Sequence, residues 1–116
     1  MDKTKILFVC LANMDRSPTA EHLYKNHPEL EVKSAGIASF ATVPVSTELI
    51  KWADVVLTME DWHKLYIERE FSDIISNKKI DYLDIQDDYG YMHPQLQNTI
   101  RTRMNTWLQK NQRKEV

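Results

Sequence analysis

A cysteine and an arginine stand six positions apart in the segment V-C-L-A-N-M-D-R-S-P, which runs from Val9 to Pro18. A thiolate is a strong nucleophile, and the planar fork of an arginine binds two oxygens of one phosphoryl group at once. A serine placed directly after the arginine either donates a hydrogen bond to the sulfur or caps a following helix. These residue types at this spacing indicate an anion-binding loop with a nucleophile at Cys10 and a phosphate-binding cation at Arg16.

The elements on either side of this segment place it in a favourable position. The run Lys5-Ile-Leu-Phe-Val-Cys10 is apolar without alternation, which is typical of a central parallel strand that is covered on both faces. Ser17-Pro18 predicts the N-cap and the first residue of a helix that ends at about His27. A loop that returns to a helix N-terminus directs several backbone amides into one concavity, which favours an anion and a thiolate.

The rest of the chain continues the alternation of strands and helices. Strands are predicted over 31–34, 54–58 and 80–83, and helices over 47–52 and 59–66. A final helix follows Pro94, with an apolar stripe of Leu96, Ile100, Met104, Trp107 and Leu108. This order predicts an α/β fold, a doubly wound four-stranded parallel sheet with helices on both faces. Ligands bind such sheets beyond the carboxyl ends of the strands, where the loop after the first strand lies.

Composition limits the classes of function. A chain of 116 residues fits a single domain, 1–116, and a net charge of −2 argues against nucleic acid as a partner. No apolar run approaches the roughly 18–20 residues that span a membrane. One cysteine excludes an intramolecular disulfide and predicts a reducing, cytoplasmic location. The four histidines are scattered without ligand spacing, so no metal is expected.

The stretch V-C-L-A-N-M-D-R-S-P-T-A-E resembles the low-molecular-weight protein tyrosine phosphatases, whose motif is Cys, five residues, Arg and Ser near the N-terminus. Ser34-Ala35-Gly36 and the segment A-D-V-V-L-T-M-E at 53–60 are similar to further segments of that family. The resemblance implies a phosphate-binding loop after the first strand and no cofactor. It also implies catalytic roles for Cys10 and Arg16, with substrate bound by Leu11, Ala12, Asn13, Met14, Asp15 and Ser17.

The resemblance also implies a general acid on a late loop, where the family has an Asp-Pro-Tyr triplet. The matching stretch here is Ile85-Gln-Asp-Asp-Tyr89, so Asp87 falls on the acid and Tyr89 on the aromatic residue that walls the substrate pocket. Asp88 replaces the proline and is the alternative acid. A polar turn without catalytic function would have a similar composition.

Three positions depart from the family pattern. Ala12 stands where the family has a glycine, so the loop must accommodate its Cβ. Asp15 replaces a second cysteine, which removes a resolving thiol and places a carboxylate beside the anion site; we expect it to point outward, paired with a basic group. Only 16 residues separate Gly36 from Ala53, fewer than in the family, so one wall of the cleft should be reduced.

The expected function is hydrolysis of phosphotyrosine, or a similar aryl phosphate, through a cysteinyl-phosphate. Arsenate reduction by relatives with this loop needs further thiols, which a single cysteine does not supply. Relatives that hydrolyse phosphoarginine have threonine where Met14 stands. A phosphate-binding module with little catalysis is the alternative of another class. Basic residues near the end of the last helix (Arg101, Arg103, Lys110, Arg113 and Lys114) are explained by the helix dipole.

Overall fold

A computed structural model describes residues 3–112. The elements alternate along the chain in the order β1 Thr4–Cys10, α1 Arg16–Tyr24, β2 Leu30–Gly36, α2 Thr47–Trp52, β3 Val55–Thr58, α3 Asp61–Glu70, β4 Lys79–Tyr82 and α4 Pro94–Gln112. The strands form one sheet in the order β2-β1-β3-β4, and every neighbouring pair is parallel. The predicted four-stranded doubly wound α/β fold is therefore confirmed.

The sheet has an apolar core on each face, and β1 contributes to both. Ile6 and Phe8 belong to one core, which α1 and α4 complete. Leu7 and Val9 belong to the other, together with Ile50 of α2 and Ile67. Because successive side chains of a strand point to opposite faces, a strand buried on both faces must be apolar at every position. The unbroken apolar run that ends at Cys10 is explained in this way.

The connections around β1 create the crevice that holds the loop of interest. The chain leaves β1 through α1 to reach β2 on one side, and it later returns through α2 to β3 on the other side. The segment after Cys10 therefore lies at the point where the strand order reverses, beyond the carboxyl ends of the strands. Ligands of open parallel sheets bind at such a point.

The start of α1 differs from the prediction that Ser17 is its N-cap. Asp15 occupies that position without a side-chain hydrogen bond, and the helix begins at Arg16. Pro18 is thus the third helical residue, a position at which its missing N–H costs no intrahelical bond. The helix also ends at Tyr24 rather than at about His27. The prediction of an N-cap at Ser17 was wrong because its side chain, which is fully buried, turns toward the sulfur of Cys10.

The β4 edge of the sheet carries a carboxylate that accepts hydrogen bonds from two donors. The amide of Leu83 donates to the carbonyl of Thr58 in β3, so the amide of Tyr82, one residue earlier, points away from β3. Asp81 accepts that Tyr82 amide with one carboxylate oxygen, at 3.0 Å. Its other oxygen accepts the indole N–H of Trp107 at 3.1 Å. Asp81 therefore joins the edge strand to α4.

No helix within residues 3–112 combines the length and the apolar character needed to cross a membrane. The described basic residues near the end of α4, which are Arg101, Arg103 and Lys110, are exposed. The other two residues of that predicted basic end, Arg113 and Lys114, lie outside the described residues.

Candidate active site

The sulfur of Cys10 lies at the floor of the loop between β1 and α1. The side chain is buried, with 3% of its surface exposed. Its Sγ accepts a hydrogen bond from the Asn13 amide at 3.3 Å and lies 3.1 Å from the Ser17 hydroxyl. Two groups of the same loop, one amide and one hydroxyl, are therefore directed at the sulfur.

Asn13 holds the loop in shape. Its φ of 55° is in the left-handed region, which asparagine tolerates better than most residues. The side-chain amide donates to the hydroxyls of Ser17, at 2.8 Å, and of Ser34, at 3.0 Å. Its carbonyl oxygen accepts the Val43 amide at 3.1 Å. The strained backbone is thus fixed by three hydrogen bonds, which link the loop to α1, β2 and the following segment.

A chain of donors leads from a carboxylate to the sulfur. The Ser34 hydroxyl donates to Glu21 at 2.5 Å, because an ionised carboxylate only accepts. The oxygen of Ser34 is then free to accept from Asn13, whose amide also supplies a proton to Ser17. Ser17 keeps its own proton for the sulfur of Cys10 or for a main-chain carbonyl of β2 at 3.2 Å. The polarity of the network therefore leaves a hydroxyl proton available to a thiolate.

Gly36 at the end of β2 allows the loop to pack closely. A Cβ at this position would lie 2.7 Å from the carbonyl oxygen of Leu11 and 2.9 Å from the amide of Asn13. The Thr42 amide also donates to the carbonyl of Ala12 at 3.1 Å. Ala12 itself does not adopt a positive φ, so its Cβ is accommodated without backbone strain.

Arg16 is buried, and its guanidinium is bound by residues in the segments that follow β3 and β4. One terminal nitrogen, Nη1, donates to Glu60 at 2.5 Å and to the carbonyl of Ile85 at 2.8 Å. Its Nε lies 3.8 Å from a carboxylate oxygen of Asp87, which is 61% exposed. Partial burial raises the pKa of Glu60, but the hydrogen bond and positive charge of Arg16 outweigh it, and the pKa is lowered overall. Arg16 is therefore held by a carboxylate that stays ionised.

His63 lies behind this ion pair and is fully buried. Its Nδ1 accepts the backbone amide of Glu60 at 3.1 Å, and the Glu60 side chain accepts the backbone amide of His63, which completes a capping box. Burial, together with the charge of Arg16, lowers the pKa of His63 to about 4. The imidazole is thus neutral with its proton on Nε2, an atom without a hydrogen-bond partner among the described residues.

Two residues predicted to bind the substrate, Met14 and Tyr89, have exposed side chains. Met14 is 54% exposed at the outer side of the loop. Tyr89 is half exposed, its ring stacks on His93 with centroids 4.5 Å apart, and its hydroxyl hydrogen-bonds to Gln95. Asp15 forms no ion pair with any described residue, contrary to the expected basic partner.

The structure brings together most of the residues singled out by the sequence. One loop and the start of α1 hold Cys10, Asn13, Arg16 and Ser17. Asp87, in the segment after β4, reaches Arg16. Among the described residues, Asp88 forms no hydrogen bond or ion pair with this loop. Sequence reasoning missed Glu21, Ser34, Glu60 and His63. Two signals were present: Glu60 follows β3 at the carboxyl edge of the sheet, and its spacing of three from His63 fits a capping box. Within residues 3–112, no group of three His, Cys, Asp or Glu residues is placed to hold a metal ion.

Comparison with known proteins agrees with this geometry. Residues 5–43 match the model of the low molecular weight phosphotyrosine protein phosphatase family. The low molecular weight protein-tyrosine-phosphatase Wzb of Salmonella typhi is 39% identical over 83 residues, which are 51% of this chain and 56% of that protein. A protein-arginine-phosphatase of Bacillus subtilis is 32% identical over 93 residues, 57% of this chain and 62% of that protein.

The similarity in structure extends over almost the whole chain. The YwlE arginine phosphatase from Geobacillus stearothermophilus superposes with a TM-score of 0.67 at 27% identity and covers 97% of each chain. The sequence matches, in contrast, span between about half and two thirds of the length of the curated relatives. The fold, the loop and these matches together support the low molecular weight phosphotyrosine protein phosphatase family for this chain.

Proposed function

We propose that the protein is a cysteine-dependent phosphatase that hydrolyses phosphate monoesters, with phosphotyrosine in a polypeptide as the substrate. The observation that carries the proposal is the sulfur of Cys10, which faces the Asn13 amide and the Ser17 hydroxyl in the same loop as the buried Arg16. This reaction requires a nucleophile and an anion-binding loop, together with a general acid for the leaving group. Its single cysteine suits the reducing cytoplasm, where we place the enzyme.

In the first step, the Cys10 thiolate attacks phosphorus in line with the ester oxygen. The S–P bond forms as the P–O bond breaks, and the ester oxygen takes a proton from Asp87. Arg16 binds the equatorial phosphoryl oxygens with the part of its guanidinium that Glu60 does not occupy, and backbone amides between Leu11 and Ser17 complete the cradle.

In the second step, water attacks phosphorus and the S–P bond breaks. Asp87, now ionised, accepts a proton from this water. Ser17 stabilises the departing thiolate with the hydroxyl proton that the network around Asn13 leaves available. Phosphate then leaves, and the thiolate is ready for another cycle.

The exposed side chains of Met14 and Tyr89 support the proposal of an aromatic leaving group. Met14 and Tyr89 expose apolar surface on which a phenyl ring can pack. Phosphoarginine is the second candidate, because several of the similar proteins are named as arginine phosphatases. A phosphoarginine side chain would place its guanidinium where the phenyl ring otherwise lies, beside Asp87.

The decisive assay compares wild type with Cys10→Ser on p-nitrophenyl phosphate, and then on matched peptides with phosphotyrosine or phosphoarginine. We expect hydrolysis by wild type alone and a higher kcat/KM for the phosphotyrosine peptide. Phosphate binding without turnover would instead establish a binding module. A higher kcat/KM for the phosphoarginine peptide would replace the proposed substrate.

The general acid is tested with Asp87→Asn and Asp88→Asn as a matched pair. Asp87→Asn should slow hydrolysis of phosphotyrosine and alkyl phosphates by about 10²–10⁴-fold, and of esters with good leaving groups by less. Asp88→Asn should have little effect on either class. If Asp88→Asn slowed the reaction and Asp87→Asn did not, the general acid would be Asp88.

A further inference from the structure

An exposed tryptophan stands at the border of the candidate active site. Trp62, near the start of α3, is 46% exposed. Its indole N–H donates at 3.3 Å to one carboxylate oxygen of Glu60, and Arg16 donates to the other oxygen of the same carboxylate. A single carboxylate therefore separates the indole of Trp62 from the guanidinium of Arg16.

The tryptophan is held from a second direction as well. Its ring lies against the imidazole of His63, with centroids 4.4 Å apart and an angle of 56° between the planes. His63 is fully buried and tied to the backbone of Glu60. A large side chain that is fixed on two sides loses little conformational entropy when it binds a ligand, so Trp62 is a preorganised platform.

A carboxylate without an ion pair lies next to this platform in the sequence. Asp61 is exposed and forms no ion pair with the described residues. Asp61 and Asp87 both lie close enough to His63 to act on the charge of its imidazole. The cation nearest in sequence, Lys64, lies over the ring of Tyr82 at 6.0 Å.

This arrangement has a consequence for the substrate. A small phosphate ester brings only negative charge to a site whose border is acidic, and its approach is opposed by that border. A polypeptide with a basic side chain next to its phosphorylated residue presents a negative and a positive charge. Its phosphate meets Arg16, and its cation meets the indole face and carboxylates of the border.

We propose that Trp62 and Asp61 bind a lysine or arginine side chain that flanks the phosphorylated residue of the substrate polypeptide. The proposal rests on the proposed phosphatase function. The cation lies over the face of the Trp62 indole, as in other cation–π contacts, and Asp61 supplies the opposite charge. An aliphatic flanking residue gains only contact with the ring, and an acidic one is repelled by Asp61.

The test uses phosphotyrosine peptides of equal length in which one flanking residue is arginine, leucine or glutamate. The variable residue is moved one position at a time along both flanks, and kcat/KM is measured at low salt. At the best position, wild type should prefer arginine over glutamate by about five- to tenfold, the combined effect of one exposed cation–π contact and one exposed ion pair. The preference should decline as salt is added.

Three variants test whether Trp62 and Asp61 cause the preference for arginine, and a fourth is the control. Trp62→Leu and Asp61→Asn should each bring the arginine-to-glutamate ratio of kcat/KM closer to one. Trp62→Phe should keep more of it than Trp62→Leu, because an aromatic face remains. Asp73→Asn, which makes the same charge change in the segment after α3, should leave the ratio at the wild-type value.

The outcomes separate this proposal from the proposed function. Absence of p-nitrophenyl phosphate hydrolysis by wild type would refute the phosphatase. Hydrolysis with equal kcat/KM for the arginine and glutamate peptides at every position would refute the basic flanking residue alone. A leucine peptide superior to the arginine peptide, or a ratio that survives both Trp62→Leu and Asp61→Asn, would also overturn it.

Discussion

The buried imidazole of His63 makes the stability of the protein sensitive to mild acid. Its pKa in the folded protein is about 4, because burial and the charge of Arg16 disfavour the imidazolium. In the unfolded chain the pKa of a histidine is about 6.5. Between these values the unfolded chain binds a proton that the folded protein does not bind. The free energy of unfolding therefore falls as pH falls below about 6.5.

The size of the effect follows from the two pKa values. Each unit of difference corresponds to about 1.4 kcal/mol. The stability contributed by a neutral His63 should decrease by about 2 kcal/mol between pH 7 and pH 5, and by about 3 kcal/mol once pH reaches 4. A loss of this size is a substantial part of the roughly 5–15 kcal/mol that stabilises an ordinary domain.

Urea unfolding, followed by tryptophan fluorescence at a series of pH values, measures this loss. His63→Gln is the matched control, because glutamine at the third helical position still accepts the Glu60 amide and does not titrate. The difference in stability between wild type and the variant isolates His63 from Glu60 and the other carboxylates. We expect the free energy of unfolding of wild type, relative to that of the variant, to fall by about 1 kcal/mol per pH unit below 6.5.

If the difference in free energy of unfolding stayed constant between pH 7 and pH 4.5, the reasoning would be refuted. Folded His63 would then take up its proton as readily as the unfolded chain. The imidazole resonances of the folded protein provide an independent check. Their titration midpoint should lie near 4 for His63. A midpoint near 6.5 would contradict both the burial and the unfavourable charge of Arg16.

Three substitutions test the loop itself. Arg16→Lys should lower kcat by about 10²–10³-fold, because an ammonium cannot bind Glu60, the Ile85 carbonyl and two phosphoryl oxygens together; retention of most activity would make Arg16 structural. Ser34→Ala should reduce the free energy of unfolding by about 1–3 kcal/mol, because Asn13 and Glu21 lose a buried partner; urea unfolding measures this, and an unchanged midpoint would dismiss the network. Asp15→Asn should mildly tighten inhibition by inorganic phosphate by removing an unpaired carboxylate beside the anion site, and an unchanged inhibition constant would show that this charge is screened by solvent.

The sheet and the loop were predictable because their signals are local. An apolar run without alternation identifies a doubly covered strand, and the spacing of Cys10, Arg16 and Ser17 lies within one loop. Asn13 lies in the same motif, and its φ of 55° is one that asparagine tolerates. These features depend on neighbouring residues, which a sequence displays directly.

The supporting residues were not predictable in the same way. Glu60 and Arg16 are 44 positions apart, and the carbonyl of Ile85 lies 69 positions from Arg16. Such contacts arise only when the carboxyl ends of parallel strands meet at one edge. Two roles were expected for Ser17, a helix cap or a hydrogen bond with the sulfur. The cap was wrong, because Cys10 and Asn13 bind the hydroxyl instead.

The carboxylate of Asp81 has a consequence for self-association. An exposed edge strand offers free amides to which a strand of another molecule can add, and such pairing leads to aggregation. On β4 the outward amide of Tyr82 is already bonded to the preceding side chain, and that side chain is anchored by Trp107. An incoming strand would have to displace a carboxylate and leave its charge next to the new backbone. At this point of β4, the sheet therefore ends in a bound carboxylate that opposes the addition of a further strand.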